Sequence, residues 1–167
     1  PSHPPIDGNV QLILAIILGI GLADTAAAEH QGGFRALSGD EAASFVLPGD
    51  MELVKSFDLP AYGLTYQRYQ QFFGPAAAVV LGAQFTVYRD GSGTGRVVIG
   101  ANYPSISPTN RVGLSRGDAH RIVDGDIGPE GDRRVDLLIE PRTGRYFYRV
   151  ETRRFDSRWF HWIDAGN

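Results

Sequence analysis

The chain contains no cysteine among its 167 residues. Disulfide bonds and thiolate metal sites are therefore excluded. Motifs of metalloproteases, nucleotide-binding proteins and serine hydrolases (HExxH, the P-loop and GxSxG) are also absent. The four histidines lie far apart in the sequence, at His3, His30, His120 and His161. The sequence therefore predicts no catalytic site, no bound metal and no cofactor, and we expect a protein that is not an enzyme.

Lysine is nearly absent, because Lys55 is the only one. Residues 64–167 carry fourteen arginines and eleven acidic residues, whereas residues 1–63 carry two basic and eight acidic residues. A basic segment such as Arg153, Arg154 and Arg158 could meet an acidic partner. However, the acids are interleaved with the arginines, which is more typical of a solvated strand face. We therefore expect no nucleic-acid partner.

The composition is that of a folded protein, with 43% hydrophobic, 11% aromatic and 21% charged residues. Such a chain can bury enough apolar surface to offset the entropy of ordering. Its length suits one domain or two small ones that share a core.

An uncharged apolar segment spans residues 12–23. It is too short to cross a bilayer, which needs about 20 residues, but it suits the apolar region of a signal peptide. Small residues 26–28 before Glu29 resemble a cleavage site, although no Lys or Arg precedes the segment. We expect residues 1–28 to be a signal peptide, or otherwise an apolar N-terminal segment that forms a buried or partner-covered helix. A signal peptide implies a secreted or periplasmic protein without a stable membrane anchor after cleavage.

Residues 29–49 are expected to form a linker and a short helix, which would begin with a capping box from Ser38 to Glu41. Strands are predicted for residues 51–57, 64–73, 79–88 and 97–101. The third of these has period two, and we expect one face to contain Val79, Leu81, Ala83, Phe85 and Val87. The strand at 64–73 and the hairpin after it form a predicted three-stranded meander.

A proline-broken connection at residues 103–112 separates the two halves of the predicted fold. A second cap at Ser115–Asp118 predicts a helix through Val123 that ends near Gly125 or Gly128. Strands at 135–140, 146–152 and 158–164 follow. We therefore predict an α+β fold of two small subdomains, at 50–103 and 111–167. Each would contain an antiparallel sheet of about three strands, and the helix would pack on the second.

Residues 50–103 contain segments that resemble the fungalysin/thermolysin propeptide domain. These segments are Arg68-Tyr69-Gln70-Gln71-Phe72-Phe73-Gly74, Val80-Leu81-Gly82-Ala83-Gln84-Phe85-Thr86-Val87-Tyr88-Arg89-Asp90 and Gly95-Arg96-Val97-Val98. The family-motif residues among them are Arg68, Tyr69, Gln71, Gly74 and Gly82. About two more residues separate Gly74 from Gly82 than in the usual family turn, which leaves the register of this hairpin open.

Residues 111–167 resemble the PepSY-type domain that follows in the same precursors. The elements of that domain have counterparts here in the same order: a helix from Leu114 to Val123, followed by segments at 138–141, 146–150 and 159–165. The resemblance implies the pro-region of a secreted thermolysin-like zinc metalloprotease. Such a pro-region acts as an intramolecular chaperone and inhibitor by binding the catalytic domain. The alternatives are a free-standing secreted inhibitor or envelope binding protein, and a small hydrolase that uses scattered Asp, Glu and His residues.

The last predicted strand and its tail are the best-placed segment to lie across a protease cleft. The protease-contact candidates are Trp159, His161, Ile163, Asp164 and Ala165. Trp159 and Trp162 fall on opposite faces of this strand, and we expect one of them to be buried in the core. A structural role is expected for His161 rather than catalysis.

Two other polar groups are open to more than one interpretation. Gln67, Gln70 and Gln71 could bind a ligand, but hydrogen bonding within the sheet is the favoured interpretation. The run from Asp124 to Gly128 hints at calcium, although it lacks the spacing and terminal Glu of an EF-hand.

Overall fold

The computed structural model describes residues 33–166, so the predicted signal peptide at 1–28 lies outside the described residues. The fold is mixed α and β with mostly sheet, and the eight strands between residues 33 and 166 belong to one sheet. The strands are Arg35–Ser38 (β1), Met51–Leu59 (β2), Leu64–Phe73 (β3), Ala78–Asp90 (β4), Gly95–Gly100 (β5), Asp132–Glu140 (β6), Arg145–Arg154 (β7) and Ser157–Asp164 (β8). The helices are Gly39–Ala43 (α1) and Arg116–Ile127 (α2), with a 3-10 turn at Pro60–Tyr62.

Strand β4 connects the two halves of the sheet. One of its edges pairs antiparallel with β3, which in turn pairs with β2. The other edge is shared: residues 85–89 pair antiparallel with β5, whereas Val79 and Val80 pair in parallel with Leu138 and Ile139 of β6. Antiparallel pairings then continue from β6 through β7 to β8, and β1 pairs with β5.

The predicted meander of β3, β4 and β5 is confirmed, but the expected sheet of about three strands is too small for the first half. Five strands, β1 to β5, belong to it, because β2 and β1 extend the meander at either side. The predicted linker ends in a short strand, β1. The second half contains the three predicted strands, and its sheet is continuous with the first through β6.

A large bulge in β4 settles the open question about register. Between the pairs Gln70↔Gln84 and Phe72↔Val79, β3 has one residue and β4 has four. Gly82 has a positive φ of 75° in this bulge, a conformation that glycine adopts without steric cost. The expected alternation is consequently wrong before Ala83: Val80 is buried and Leu81 is exposed.

Two buried glutamines of β3, Gln70 and Gln71, lie at the position of the bulge. The amide nitrogen of Gln70 donates to the carbonyls of Val80 (3.0 Å) and Ala83 (2.9 Å). Gln71 donates to the carbonyl of Tyr103 (2.8 Å) and accepts from its backbone N–H (2.9 Å). Hydrogen bonding within the fold therefore accounts for both glutamines, because buried polar groups need hydrogen-bond partners.

Hydrophobic residues form two clusters, one on each half of the sheet. The first cluster contains Ala42, Met51, Phe85, Val87 and Val98, and α1 and the segment after it cover this face. The second lies between α2 and strands β6 and β7. It contains Ala78, Val80, Ala83, Ala119, Val123, Leu137, Ile139, Tyr148, Val150 and Ala165. Since β4 contributes residues to both clusters, it links the two halves by packing as well as by pairing.

The two predicted helix starts have different outcomes. At α2, the Ser115 hydroxyl accepts from the backbone N–H of Asp118 (3.1 Å), and the Asp118 carboxylate accepts from the backbone N–H of Ser115 (2.8 Å). This capping box is confirmed, and the helix ends before Gly128. At α1, Ser38 makes no side-chain cap. The chain enters that helix with Gly39 at a φ of 56°, a left-handed conformation that differs from the usual helix start.

The expected break at 103–112 is packed against the second half of the fold. Tyr103 and Ile106 contact the second cluster, as does Leu114 just after the connection. The backbone N–H of Thr109 donates to the carbonyl of Gly144 (2.9 Å) in the turn between β6 and β7. This connection is therefore part of the folded structure.

The hydrogen bonds at the bulge predict that substitutions of Gln70 and Gln84 reduce stability by different amounts. Gln70→Met would leave the carbonyls of Val80 and Ala83 buried without this donor, and we expect a loss of about 1–3 kcal/mol in the free energy of unfolding. Gln84→Met removes an exposed amide that also donates to Gln70, and it should cost about 1 kcal/mol or less. Urea unfolding measures both values. Equal losses would contradict a structural role for the buried amide of Gln70.

Candidate functional site

Strand β8 lies at one end of the sheet. It follows β7 through a two-residue turn, Phe155 and Asp156, and it pairs with β7 from Arg154↔Ser157 to Phe147↔Asp164 without a register shift. No other strand between residues 33 and 166 pairs with it. Its second edge is therefore open in the described part of the chain.

The backbone groups of β8 alternate between β7 and the open edge. Just beyond the strand, the N–H of Ala165 donates to the carbonyl of Tyr146 (3.0 Å). Hydrogen-bonded and non-hydrogen-bonded pairs alternate in antiparallel strands, so the odd-numbered residues of β8 face β7. The N–H and C=O groups that face outward belong to Arg158, Phe160, Trp162 and Asp164.

One face of β8 is on the same side of the sheet as α2. Ile163 packs against the second hydrophobic cluster. The Nε2 atom of His161 is 3.3 Å from the carboxylate of Asp126 on α2, and its Nδ1 is buried without a hydrogen-bond partner among residues 33–166. Trp159, which is two residues before His161 on the same face, has 56% of its surface exposed. Since α2 packs mainly on β6 and β7, it leaves Trp159 uncovered at the edge.

The other face of β8 carries aromatic rings beside arginines. Phe160 is 45% exposed and Trp162 is 53% exposed. The guanidinium of Arg158 lies 4.8 Å from the ring centre of Phe160, within the range of a cation–π contact. A second guanidinium, from Arg149 on β7, lies 6.0 Å from the same ring.

The burial expected for one tryptophan is wrong, because Trp159 and Trp162 are both exposed. The two tryptophans point to opposite faces of β8, as period two requires, but the face that carries Trp162 has no covering layer among the described residues. Phe160 and Trp162 were not among the sequence-based candidates. The signal that could have identified them is the run of three aromatics within Arg158–Trp162, which gives a terminal strand large apolar side chains on both faces.

A buried carboxylate holds the arginines of this face. Glu151 on β7 accepts from Nε of Arg153 (2.6 Å) and from Nε of Arg158 (2.8 Å). These hydrogen bonds lower the pKa of Glu151 to about 2, and the bond from Arg158 has the largest effect. Arg154 instead donates to the backbone carbonyls of Glu130 and Ile127. The arginine segment therefore serves contacts within the fold.

The remaining protease-contact candidates, Asp164 and Ala165, are held by the fold. Ala165 is fully buried in the second cluster. The Asp164 carboxylate accepts from the backbone N–H of Gly166 and from the side chains of Arg145 and Asn110. The backbone hydrogen bond from Gly166 and these partners lower the pKa of Asp164. Trp159 is thus the most accessible of the five candidates.

The family-motif residues lie on the first half of the sheet. Tyr69 packs against the first cluster, and Gln71 is buried on β3 with hydrogen bonds to Tyr103. Arg68 is exposed, with its guanidinium 5.7 Å from the ring centre of Tyr66. Gly74 and Gly82 have positive φ values of 66° and 75°, at a turn and at the bulge. The structure gives these residues folding roles and does not bring them together with β8.

Among residues 33–166, no three His, Asp or Glu side chains are grouped as a metal site. Asp124 and Asp126, which the sequence suggested for calcium, instead pair with other side chains. Asp124 contacts Arg133 and His120, and Asp126 contacts His161.

The helices between residues 33 and 166 are all too short or too polar to cross a bilayer. Comparisons of the chain with protein-family models, with curated proteins and with solved structures found no match.

The buried carboxylate predicts a dependence of stability on pH. The pKa of Glu151 falls from 4.5 to about 2 on folding, so the unfolded chain binds more protons between these values. The contribution of Glu151 is therefore present above about pH 4.5 and is lost as the pH falls through about 2. Glu151→Gln should be less stable at pH 7, and its free energy of unfolding should vary less between pH 5 and pH 2.

Urea unfolding at several pH values measures this difference. Glu52→Gln, which changes an exposed carboxylate of β2, is the matched control and should keep the wild-type slope. A wild-type slope in Glu151→Gln would contradict the assignment.

Proposed function

We propose that the chain is the pro-region of a secreted thermolysin-like zinc metalloprotease and binds the catalytic domain of that protease. The observation that carries this proposal is the open edge of β8. It combines backbone groups that no strand between residues 33 and 166 pairs with and exposed side chains of Trp159, Phe160 and Trp162. Proteins recognise extended segments by adding a strand to such an edge. Exposed tryptophan and other aromatic residues are the anchors that dominate many protein interfaces.

The family resemblance supplies the identity of the partner. It implies a helix followed by three antiparallel strands in the second half, and α2, β6, β7 and β8 follow this order. We assign the two halves to the two subdomains of a protease pro-region, at 50–103 and 111–167. In this arrangement the second subdomain presents β8, and the first, joined to it through β4, orients that subdomain.

Inhibition follows from where β8 and its continuation would lie. A strand that pairs with the rim of a protease cleft brings the continuation of the chain beyond Gly166 towards that cleft, since Ala165 is still buried in the second cluster. The carboxylate of Asp164, tied to Arg145 and Asn110, fixes the direction in which this tail leaves the sheet. Substrate is then excluded without any catalytic group in the pro-region.

Assistance to folding has the same physical basis. A partner that binds the folded catalytic domain but not its unfolded chain stabilises the folded form by mass action. While the two are covalently joined, the effective concentration of the pro-region is high, which strengthens the effect. Cleavage removes this advantage, so the inhibitor can then dissociate.

The gene provides the first test of the partner. We expect the reading frame to continue after Asn167 into a domain that contains HExxH. A stop codon directly after Asn167 would contradict the pro-region proposal and favour a free-standing secreted inhibitor or an envelope binding protein, which could use the same edge.

The second test is inhibition of the separately expressed catalytic domain by the chain added in trans. Trp159→Ala and Trp162→Ala should each raise the inhibition constant about 30-fold, the effect of losing an interface anchor of about 2 kcal/mol. Tyr62→Ala is the matched control, since Tyr62 is an aromatic residue of similar exposure (55%) on the first half of the fold. It should inhibit as the wild type does. Absence of inhibition by the wild-type chain in large excess would refute the proposal.

A further inference from the structure

The sequence of β8 is nearly self-complementary when it is read in opposite directions. From Arg158 to Asp164 the strand begins with a cation and ends with an anion, and its centre is His161. Between these ends are Trp159 and Phe160 on one side of the centre and Trp162 and Ile163 on the other. Two such strands that run antiparallel around His161 would therefore place unlike charges and apolar side chains opposite each other.

The outward N–H and C=O groups of β8 can form hydrogen bonds in this same register. When His161 of one copy is opposite His161 of the other, Arg158 is opposite Asp164 of the second copy, and Phe160 is opposite Trp162 of the second copy. These four residues are the ones whose N–H and C=O groups face the open edge. Antiparallel pairing requires that both members of a hydrogen-bonded pair face each other, and this register meets that requirement. The pairs also lie on matching faces, because opposite residues in a sheet share a face.

The side chains that would meet are exposed or partly exposed. Arg158 is 56% exposed at its side chain although its Nε binds Glu151, and the Asp164 side chain is 26% exposed. Phe160 and Trp162 present about half of their surfaces on the open face. On the opposite face, Trp159 would meet Ile163 of the second copy. Opposite charges and aromatic pairs across neighbouring strands both stabilise a sheet.

We propose that two copies of the chain associate through β8 into a symmetric dimer with one continuous sheet. The twofold axis would pass by His161, and the contact would be isologous, so that it closes after two copies. The proposal rests on the geometry and sequence of β8 and not on the identity of a protease. If β8 also binds a protease, the dimer hides that edge, so self-association and inhibition compete.

A charge substitution on the edge tests the proposal with a control on the neighbouring strand. Arg158→Glu would place a carboxylate opposite Asp164 of the second copy at two symmetric positions. Arg153→Glu makes the same charge change and also removes a partner of Glu151, but it lies on β7, one strand away from the open edge. Sedimentation measures the dissociation constant of the dimer. We expect Arg158→Glu to raise it about tenfold or more and Arg153→Glu to raise it less than about threefold.

A cysteine scan tests the register, since the chain has no cysteine of its own. His161→Cys should form a disulfide-linked dimer under mild oxidation, because the two sulfurs would face each other in a non-hydrogen-bonded pair about 4.5 Å apart at Cα. Phe57→Cys on β2, at the other end of the sheet, should stay largely monomeric under the same conditions.

The following outcomes would overturn the proposal. A wild-type chain that remains monomeric at 0.1–1 mM, to order of magnitude, would exclude the dimer at any useful strength. Equal weakening by Arg158→Glu and Arg153→Glu would place the contact away from β8. Equal cross-linking of the two single-cysteine variants would show that the disulfide at position 161 forms by random collision, without a contact centred on His161. Loss of inhibition in trans would leave this proposal standing, because the dimer is measured without a protease.

Discussion

The buried amide of Gln70 is the contact on which the rest of the sheet depends. It donates to two carbonyls inside the β4 bulge, and without it these buried acceptors would lose that donor. The bulge lets one long strand pair with both halves of the sheet. After it, β4 pairs with β5; before it, the same edge is free to accept β6 at Val79 and Val80. Both hydrophobic clusters then form around residues of β4.

The open edge of β8 is a consequence of this arrangement. With both edges of β4 occupied, further strands are added outward, and the sheet ends at β8 on one side. Proteins usually protect such an edge with charge, proline or a covering segment. Here the outermost strand instead exposes Trp159, Phe160 and Trp162, while Glu151 on β7 holds the adjacent arginines in place. This combination resembles a binding edge more than a protected one.

Local sequence patterns predicted most of the elements but not how the two halves join. Period two predicted the strands, and the Ser115 capping box predicted the start of α2, because each signal comes from residues that are close in sequence. The bulge could not be predicted in this way, since it depends on Gln70 reaching carbonyls ten and thirteen residues away. The parallel contact of β4 with β6 joins strands almost sixty residues apart through two residue pairs. The exposure of Trp162 follows from the lack of a covering layer among residues 33–166, which a period-two pattern does not encode.

The most direct measurement of the central claim is amide hydrogen exchange in β8, followed by NMR on dilute chain with and without the catalytic domain. The account predicts that the amides of Phe160 and Trp162, which face outward, exchange rapidly in the free chain and slow strongly in the complex. The amides of Trp159 and His161, which face β7, should change much less. A complex that forms while Phe160 and Trp162 keep their rapid exchange would contradict the account, because the partner would then bind elsewhere.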